Sequence, residues 1–512
     1  MFLGIDVGTT STKAVLMTEQ LQVVAEGSAA YRLHLLDGGG VEQNPEDWWE
    51  AVCGILQDFW SSGFSSNEVK GICVSGHGCS LVVMDPQGKI LRPAISSLDT
   101  RSQPQAGEIR HRAGNLILQF NGNDVGTFNF ESKLLWLKQT EPQNYEKMYK
   151  MMSATGYINY KLTGEWKVNI SDLGIAMSYD RSVGKQWNRE VVEAIGADIE
   201  KFPDLYDCSE IIGGVHAKAA KETGLSAGTP VLAGGEDTSS AALSIGVNRP
   251  GLAYVSMGTQ CTVGVCTDQY AIRPEILGFP HVLEGLQLIS GSMSTCGAGI
   301  QWFVNEFCKD FILAEKEGKI HALRALDECC ASVKPGANGL LFLPYLSGEL
   351  HPVLDAKAAG AFFGLRLEHT RAHMGRAVME GSAHAIAHNL AFAQSVSGNI
   401  TELRATGGPA RSPVLCQAIA DITGRKVTVI TSKSKKGGAP LGNAILAMCK
   451  ISGRKIGTFE DELLQVEQVY EPDPLYSSMY AQYHALYKGL YVQMAPLFHT
   501  LYEIKNQKVR GE

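Results

Sequence analysis

No segment of this 512-residue chain is an apolar run long enough to cross a bilayer, so a membrane-spanning protein is not expected. Nor is there an excess of cations. Lys and Arg number 45 against 53 Asp and Glu, a formal net charge of −8. A nucleic-acid backbone is held by clustered cations, so this balance argues against nucleic acid as a main partner. No basic flank leads into an apolar segment at the start. Met1 runs straight to Ile5 and Asp6, and a secretory leader is not expected. The 12 cysteines contain no Cys-x-x-Cys pair. They sit mostly in apolar runs, as at Cys53, Cys73, Cys261 and Cys449, the habit of buried thiols in a reducing compartment. A cytoplasmic protein is the expectation. Charged residues are 19% and apolar residues 45%, a globular balance. The length exceeds one ordinary core, and two domains of about 200 to 250 residues fit it.

The chain opens on Phe2-Leu3-Gly4-Ile5-Asp6-Val7-Gly8-Thr9-Thr10-Ser11-Thr12-Lys13, an apolar strand, a glycine turn and a lysine. Asp6 ends the strand as an oxygen ligand of the kind magnesium takes. Gly8 lets the backbone turn tightly and approach a ligand. Thr9 and Thr10 offer hydroxyls and N–H groups, the donors a phosphate needs. A single such stretch also reads as a hairpin with a polar tip. A second copy favours the site: Ser256-Met257-Gly258-Thr259-Gln260-Cys261-Thr262 repeats the turn, with Gly258, Thr259 and Thr262 at the offsets of Gly8, Thr9 and Thr12. A supersecondary unit repeated near the midpoint predicts two similar halves. Each would point a Gly-Thr turn into one cleft and clamp a polyphosphate from both sides.

The coarse layout is mixed α/β. Asn44 and Pro45 read as the cap and first turn of a helix through Trp48, Trp49, Val52 and Leu56. A buried strand is expected over 69–75 and a hairpin over 81–91 around Asp85-Pro86-Gln87-Gly88. Helical periodicity returns over 134–139. The second half reads as strands near 253–266 and 286–291 with helices near 298–312 and 371–395. The aromatic-rich stretch 477–501 is too apolar for a free tail and is expected to pack back on the body.

Three strand-to-glycine junctions carry chemistry. The strand 229–233 enters Gly234-Gly235-Glu236-Asp237 before a small-residue helix over 239–243. A carboxylate there projects into the crevice beyond the strand ends, where Asp237 could take a hydroxyl proton during attack on phosphorus. The plainer alternative is that Asp237 only caps the helix. The strand 402–405 enters Thr406-Gly407-Gly408-Pro409 and a helix from Ser412, and the two glycines allow a flat ligand such as adenine to come close. At Gly76-His77-Gly78 an imidazole follows a buried strand, although a lone histidine is more often structural. The i, i+4 pairs His369/His373 and His384/His388 have metal spacing but lack a third ligand. Lys433-Ser434-Lys435-Lys436 reads as a solvated loop near the phosphates.

Together these residues resemble the FGGY family of sugar kinases over almost the whole chain. The most specific stretches are Gly360-Ala361-Phe362-Phe363-Gly364-Leu365 and His373-Met374-Gly375-Arg376-Ala377-Val378-Met379-Glu380, which fit the family's second signature. Phe342-Leu343-Pro344-Tyr345-Leu346-Ser347-Gly348-Glu349 is similar to a stretch of the xylulokinases within it. Lys133-Leu134-Leu135-Trp136-Leu137 matches the core of the first signature, from which Phe130 and Thr140 depart. The resemblance implies α/β architecture with two actin-like, ribonuclease-H-like lobes and the active site in the cleft between them. It implies a sugar-binding lobe over 1–247, a nucleotide lobe over 248–475 and a helical tail over 476–512. It also implies site roles. Asp6 is linked to Mg2+; Gly8, Thr9, Thr10 and Lys13 form one phosphate loop, and Gly258 with Thr259 the other. Gly407, Gly408 and Ser412 belong to the adenosine motif, with Gly438, Asn443 and Gln301 on the nucleotide side. Asp237 is the base. Gly76, His77 and Asp99 face the sugar, Leu98 standing where the family has asparagine. The implied activity is transfer of the ATP γ-phosphoryl group to a hydroxyl of a small sugar, a ketopentose such as xylulose. The alternatives are L-xylulose, 3-keto-gulonate, gluconate or erythritol as acceptor, or an actin-like ATPase without sugar. A catalytically silent sugar-binding regulator would have lost Asp6 or Asp237, and both are present. The resemblance admits a homodimer.

Overall fold

The computed structural model describes residues 1–270, 275, 277–431, 433–435, 437–458, 462 and 464–506. Phe2–Val7 and Ser11–Met17 pair antiparallel, with Asp6 opposite Lys13. Val23–Ala30 extends the sheet antiparallel on one side. On the other side Gly71–Gly76 runs parallel to the first strand, so that Asp6 lies beside Ser75. Pro230–Leu232 follows in parallel and Ile211–Gly214 closes the edge antiparallel.

The second half repeats this order. Leu252–Met257, Cys261–Thr267 and Gln287–Met293 form the antiparallel part. Glu402–Gly407 and Lys426–Thr431 add in parallel, and Gln465–Tyr470 closes antiparallel. One further strand, Leu277–Pro280, borders the second sheet. Two copies of one strand pattern make the two similar halves that the repeated turn predicts, and the pair of lobes that the family resemblance implies. Ser256, beside Thr262 and Thr406, occupies the place that Asp6 holds beside Lys13 and Ser75.

Apolar spacing selects what covers each sheet. Pro45–Ser61 starts at Asn44, whose side chain accepts from Glu46 N, and buries Trp48, Val52, Ile55, Leu56 and Phe59 in the first core. Arg371–Ser397 does the same for the second sheet. The helix Gly438–Ser452 follows a strand of the second sheet yet packs on the first, against Phe2–Val7, Gly71–Gly76 and Asp237–Ser244. Glycine permits that approach: a Cβ on Gly442 would stand 1.8 Å from Ser240 O. The lobes are also joined side chain to backbone, where Asn123 and Gly278 exchange two hydrogen bonds of 2.8 and 2.9 Å.

Some local expectations are revised. The helix expected over 298–312 is interrupted at Cys308 into Gly297–Phe307 and Lys309–Lys316. The hairpin over 81–91 forms as expected, with Met84 bridging Ile90, Asp85 N donating to Lys89 O at 3.0 Å and Leu91 N to Val83 O at 3.0 Å, and Val82–Val83 pairs in addition with Met151–Met152. The aromatic stretch becomes the helix Pro474–Asn506, seated on the second lobe by buried Tyr480 and Tyr487, whose hydroxyls bond Glu380 Oε1 at 2.6 Å and Tyr345 OH at 2.9 Å. The final residues of the tail, 507–512, lie outside the described residues.

Candidate active site

Between the lobes lies a cleft of about 780 Å³. The first lobe contributes Asp6, Lys13, Asp237 and Thr238 to its wall, and the second contributes Ser256, Thr262, Thr406, Gly407 and Gly408.

Asp6 is 5% exposed. Ser75 Oγ donates to its Oδ1 at 2.8 Å, and Asn443 Nδ2 donates to Ser75 Oγ at 2.8 Å and to Ile5 O at 2.7 Å. Asn443 therefore aims the Ser75 proton at Asp6. This corrects the expectation for Asn443: it is fully buried behind Asp6 and is not in the cleft wall, because the crossed helix carries it onto the first sheet. Burial, then the neighbouring Asp237, pushes the Asp6 carboxyl up to about 7, against smaller pulls from Ser75 and Lys13.

Asp237 opens the helix Asp237–Ser244, but it is not the cap. Glu236 is, its Oε2 accepting from Ser239 N at 3.0 Å. The capping alternative is thus taken by the preceding residue, and Asp237 is left to the cleft with Thr238 Oγ1 donating to its Oδ1 at 3.0 Å. Glu236 is buried, and burial followed by the adjacent Asp237 holds its carboxyl well above the usual range. The sequence reading missed Glu236 as a cap, since glutamate is not among the favoured capping residues.

His77 is 4% exposed. Its Nδ1 lies 2.8 Å from Val7 O, so Nδ1 carries the proton and Nε2 presents a lone pair. Burial lowers the pKa of the ring and keeps it neutral. Among the described residues Nε2 has no hydrogen-bond partner, and neither has the indole N–H of Trp48, which packs edge-on to the His77 ring at 5.2 Å. Buried polar atoms rarely stay unpaired, so each of these two keeps a hydrogen-bonding capacity that the described residues do not fill. Gly76 packs against Thr155, where an added Cβ would come within 2.9 Å of Oγ1.

The two Gly-Thr turns are anchored alike. In the first, Gln43 Nε2 donates to Thr9 O at 2.8 Å, Tyr31 N to Thr10 O at 3.2 Å, and Tyr31 OH to Gly8 O. In the second, Gly297 N donates to Gly258 O at 2.9 Å, and Cys296 N and Ala298 N both donate to Thr259 O at 3.1 Å. The glycine N–H groups are also spent inside the turns, Gly8 N on Ser11 O at 3.1 Å and Gly258 N on Gln260 O at 2.8 Å. Gly407 must be glycine: its φ is 98°, and a Cβ there would stand 1.9 Å from Met257 O.

Of the expected residues, Gly8, Thr9, Thr10, Gly258, Thr259, Gly76 and His77 are not part of the cleft wall, and neither are Asp99, Ser412 and Gln301. Asp99 is 1% exposed and saturated: it accepts from Val41 N at 2.8 Å, Arg101 N at 2.9 Å and the Arg101 guanidinium at 2.7 Å, so its oxygens serve the lobe. Ser412 caps Pro413–Thr423 by accepting from Leu415 N at 3.1 Å, and it donates to Asp327. Gln301 is exposed and bonds Asn305 at 3.0 Å along its own helix. Ser434 and Lys435 do reach the cleft, while Lys436 is outside the described residues. Sequence reading missed Thr238 and Thr406 as wall residues. Extending the repeat from its glycines to the strand register would have found Thr406.

The family models match twice, the N-terminal domain of the FGGY carbohydrate kinases over residues 1–244 and their C-terminal domain over 253–451. The chain belongs to the FGGY family of carbohydrate kinases. This kinase is 29% identical to a xylulose kinase of Lactococcus lactis over 99% of each chain. It is 28% identical to a gluconokinase of Bacillus subtilis, over 98% of this chain and 96% of that one. The crystal structure of a xylulose kinase from Rhodospirillum rubrum matches it with a TM-score of 0.88 at 29% identity, covering 97% of this chain and 99% of that one. It is an ATP-dependent sugar kinase. Among the described residues, no helix of the kinase is long and apolar enough to cross a membrane.

Proposed function

We propose that this kinase phosphorylates a small ketose, with a ketopentose such as xylulose as its best acceptor and Asp237 as the base. The observation that carries the reading is the pairing of roles at one junction: Glu236 caps the helix, and Asp237 faces the cleft with Asp6. The names of the relatives favour xylulose.

Phosphoryl transfer asks a protein for positioning and charge neutralisation more than covalent chemistry. Lys13 and the two Gly-Thr turns would hold the phosphates, and Gly407 and Gly408 would let the adenine approach. Asp237 would orient the attacking hydroxyl and accept its proton. Closure of the lobes would exclude water, a competing acceptor.

Magnesium fits the residues present. It commonly takes one or two carboxylates and completes its shell with phosphates and water, and Asp6 and Asp237 supply such a pair. Among the described residues no cluster of three or more His, Cys, Asp or Glu could cage a metal, which suits an ion arriving with the nucleotide. Asp6 would hold it, directly or through water, and the ion would neutralise charge on the transferring group. The first lobe, 1–247, would bind the sugar and the second, 248–475, the nucleotide. All twelve cysteines are free thiols, which supports a reducing, cytoplasmic setting.

The test is ADP release measured across ketopentoses, pentitols and aldonates. A ketopentose is expected to give the highest kcat/KM. A higher value for gluconate or a pentitol would move the kinase to another acceptor, and ATP turnover indifferent to every sugar would make it an actin-like ATPase.

His77→Ala tests the acceptor contact. A hydrogen bond whose loss leaves a buried partner unpaired is worth about 1 to 3 kcal/mol, so the sugar KM should rise about 5- to 100-fold. The KM for ATP should hardly change. An unchanged sugar KM would place the pocket elsewhere, and joint drift of both KM values with a lower Tm would make His77 a support for its loop.

A further inference from the structure

Lys133 is an ammonium with 0% exposure in the wall of the first lobe. Its Nζ donates to Cys79 O and, at 2.8 Å, to Phe128 O. These carbonyls belong to two separate segments. Cys79 closes the turn that begins at His77, and its φ is 62°, in the left-handed region that residues with a Cβ avoid. Phe128 belongs to the segment 126–129, which Asn129 pins in place: Gly126 N donates to its Oδ1 at 2.8 Å, and its Nδ2 donates to Ile175 O at 2.9 Å.

The charges around Lys133 bond other groups. Oε1 of Glu131 accepts from Ser178 N at 2.8 Å and Ser178 Oγ at 2.5 Å while its Oε2 has no hydrogen-bond partner among the described residues, and Asp99 is held by Arg101. The buried Cys79 thiol is pushed up to about 12 and stays neutral. Burial pulls Lys133 itself down to about 8. An ammonium is expensive to bury without a bonded carboxylate, and the bonds recorded for this one go to two carbonyls that no single segment supplies.

We propose that Lys133 is the positioning residue of the acceptor side: its ammonium ties the His77–Cys79 turn to segment 126–129 and so holds His77 Nε2 where a sugar hydroxyl meets it. This rests on the reading of His77 as the sugar contact. The bond to Cys79 O fixes the carbonyl of the residue in the disfavoured conformation. Without it, the turn loses its tie to segment 126–129, and His77 is left with its backbone and ring bonds to Val7 O, each 2.8 Å, to hold its direction. Neither carbonyl belongs to the nucleotide side, so the effect is confined to the sugar.

The test compares Lys133→Met, which keeps length and loses every donor, with Lys133→Gln, which keeps an N–H pair. His77→Ala is measured beside them. The readouts are the KM for the best sugar, the KM for ATP, and the Tm shifts produced by that sugar and by ADP. Lys133→Met is expected to raise the sugar KM about tenfold or more and to reduce the Tm shift produced by a fixed sugar concentration. The ATP KM and the ADP-induced shift should stay near wild type, with Lys133→Gln in between. If Lys133→Met does not fold, Lys133→Gln carries the comparison. A normal sugar KM in the lysine variants while His77→Ala raises it would overturn the proposal and leave the sugar contact standing. Parallel drift of both KM values would overturn it in favour of a purely structural lysine. If neither His77→Ala nor the lysine variants move the sugar KM, the acceptor reading falls, and the proposal with it.

Discussion

Asp237→Asn will lower kcat by about 10² or more, the scale of a positioned general base, while sugar and ATP affinities stay within a few-fold. The substitution removes the proton acceptor and keeps the shape. It also spares the helix start, because the group that caps the Asp237–Ser244 helix is Glu236, accepting from Ser239 N. A drop in kcat therefore reports chemistry rather than unfolding, and a Tm equal to or above that of the wild type would accompany it, since the neighbouring Asp6 and Glu236 lose a repelling charge. Steady-state kinetics on the best acceptor decide the matter. Near-normal turnover in the variant would remove Asp237 from the mechanism and reopen the question of which group takes the hydroxyl proton.

Asp6→Ala will abolish magnesium-dependent turnover without weakening the fold. The reasoning is electrostatic. Burial and Asp237 move the Asp6 carboxyl from an ordinary 3.8 to about 7. An acid whose folded pKa lies above its unfolded value detracts from stability as pH rises through that window, so the ionised group works against the ligand-free fold at neutral pH. Removing it should leave Tm at pH 8 equal to or above that of the wild type, while activity titrated with magnesium stays at background. A collapsed Tm would make Asp6 a structural residue, and the opening hairpin would lose its place in the site.

Local chemistry made much of this protein legible from its sequence. The turns at Gly8 and Gly258 each place a glycine and hydroxyl donors within a few residues, so their repetition could be read off the chain and predicted two similar halves. Asp237 was legible for the same reason, as a carboxylate where a strand gives way to a helix. Whether it capped that helix was not, because Glu236 and Asp237 are neighbours and their backbone geometry alone assigns the roles.

Asn443 and Asp99 were misplaced because partners distant in the chain hold them, whereas Gln301, also away from the cleft, bonds Asn305 on its own helix. Asn443 meets Ile5 across 438 residues, and what brings them together is a helix that leaves the second lobe to pack on the first. Asp99 looks like a ligand in its own stretch, yet Val41, 58 residues away, and Arg101 take up its oxygens. Lys133 reads as one polar residue in an amphipathic helix, and its two carbonyl partners belong to segments that meet only in the folded lobe. Short-range steric and hydrogen-bond preferences are written into neighbouring side chains. Burial and the pairing of polar groups depend on which elements pack together, and that is a property of the closed core.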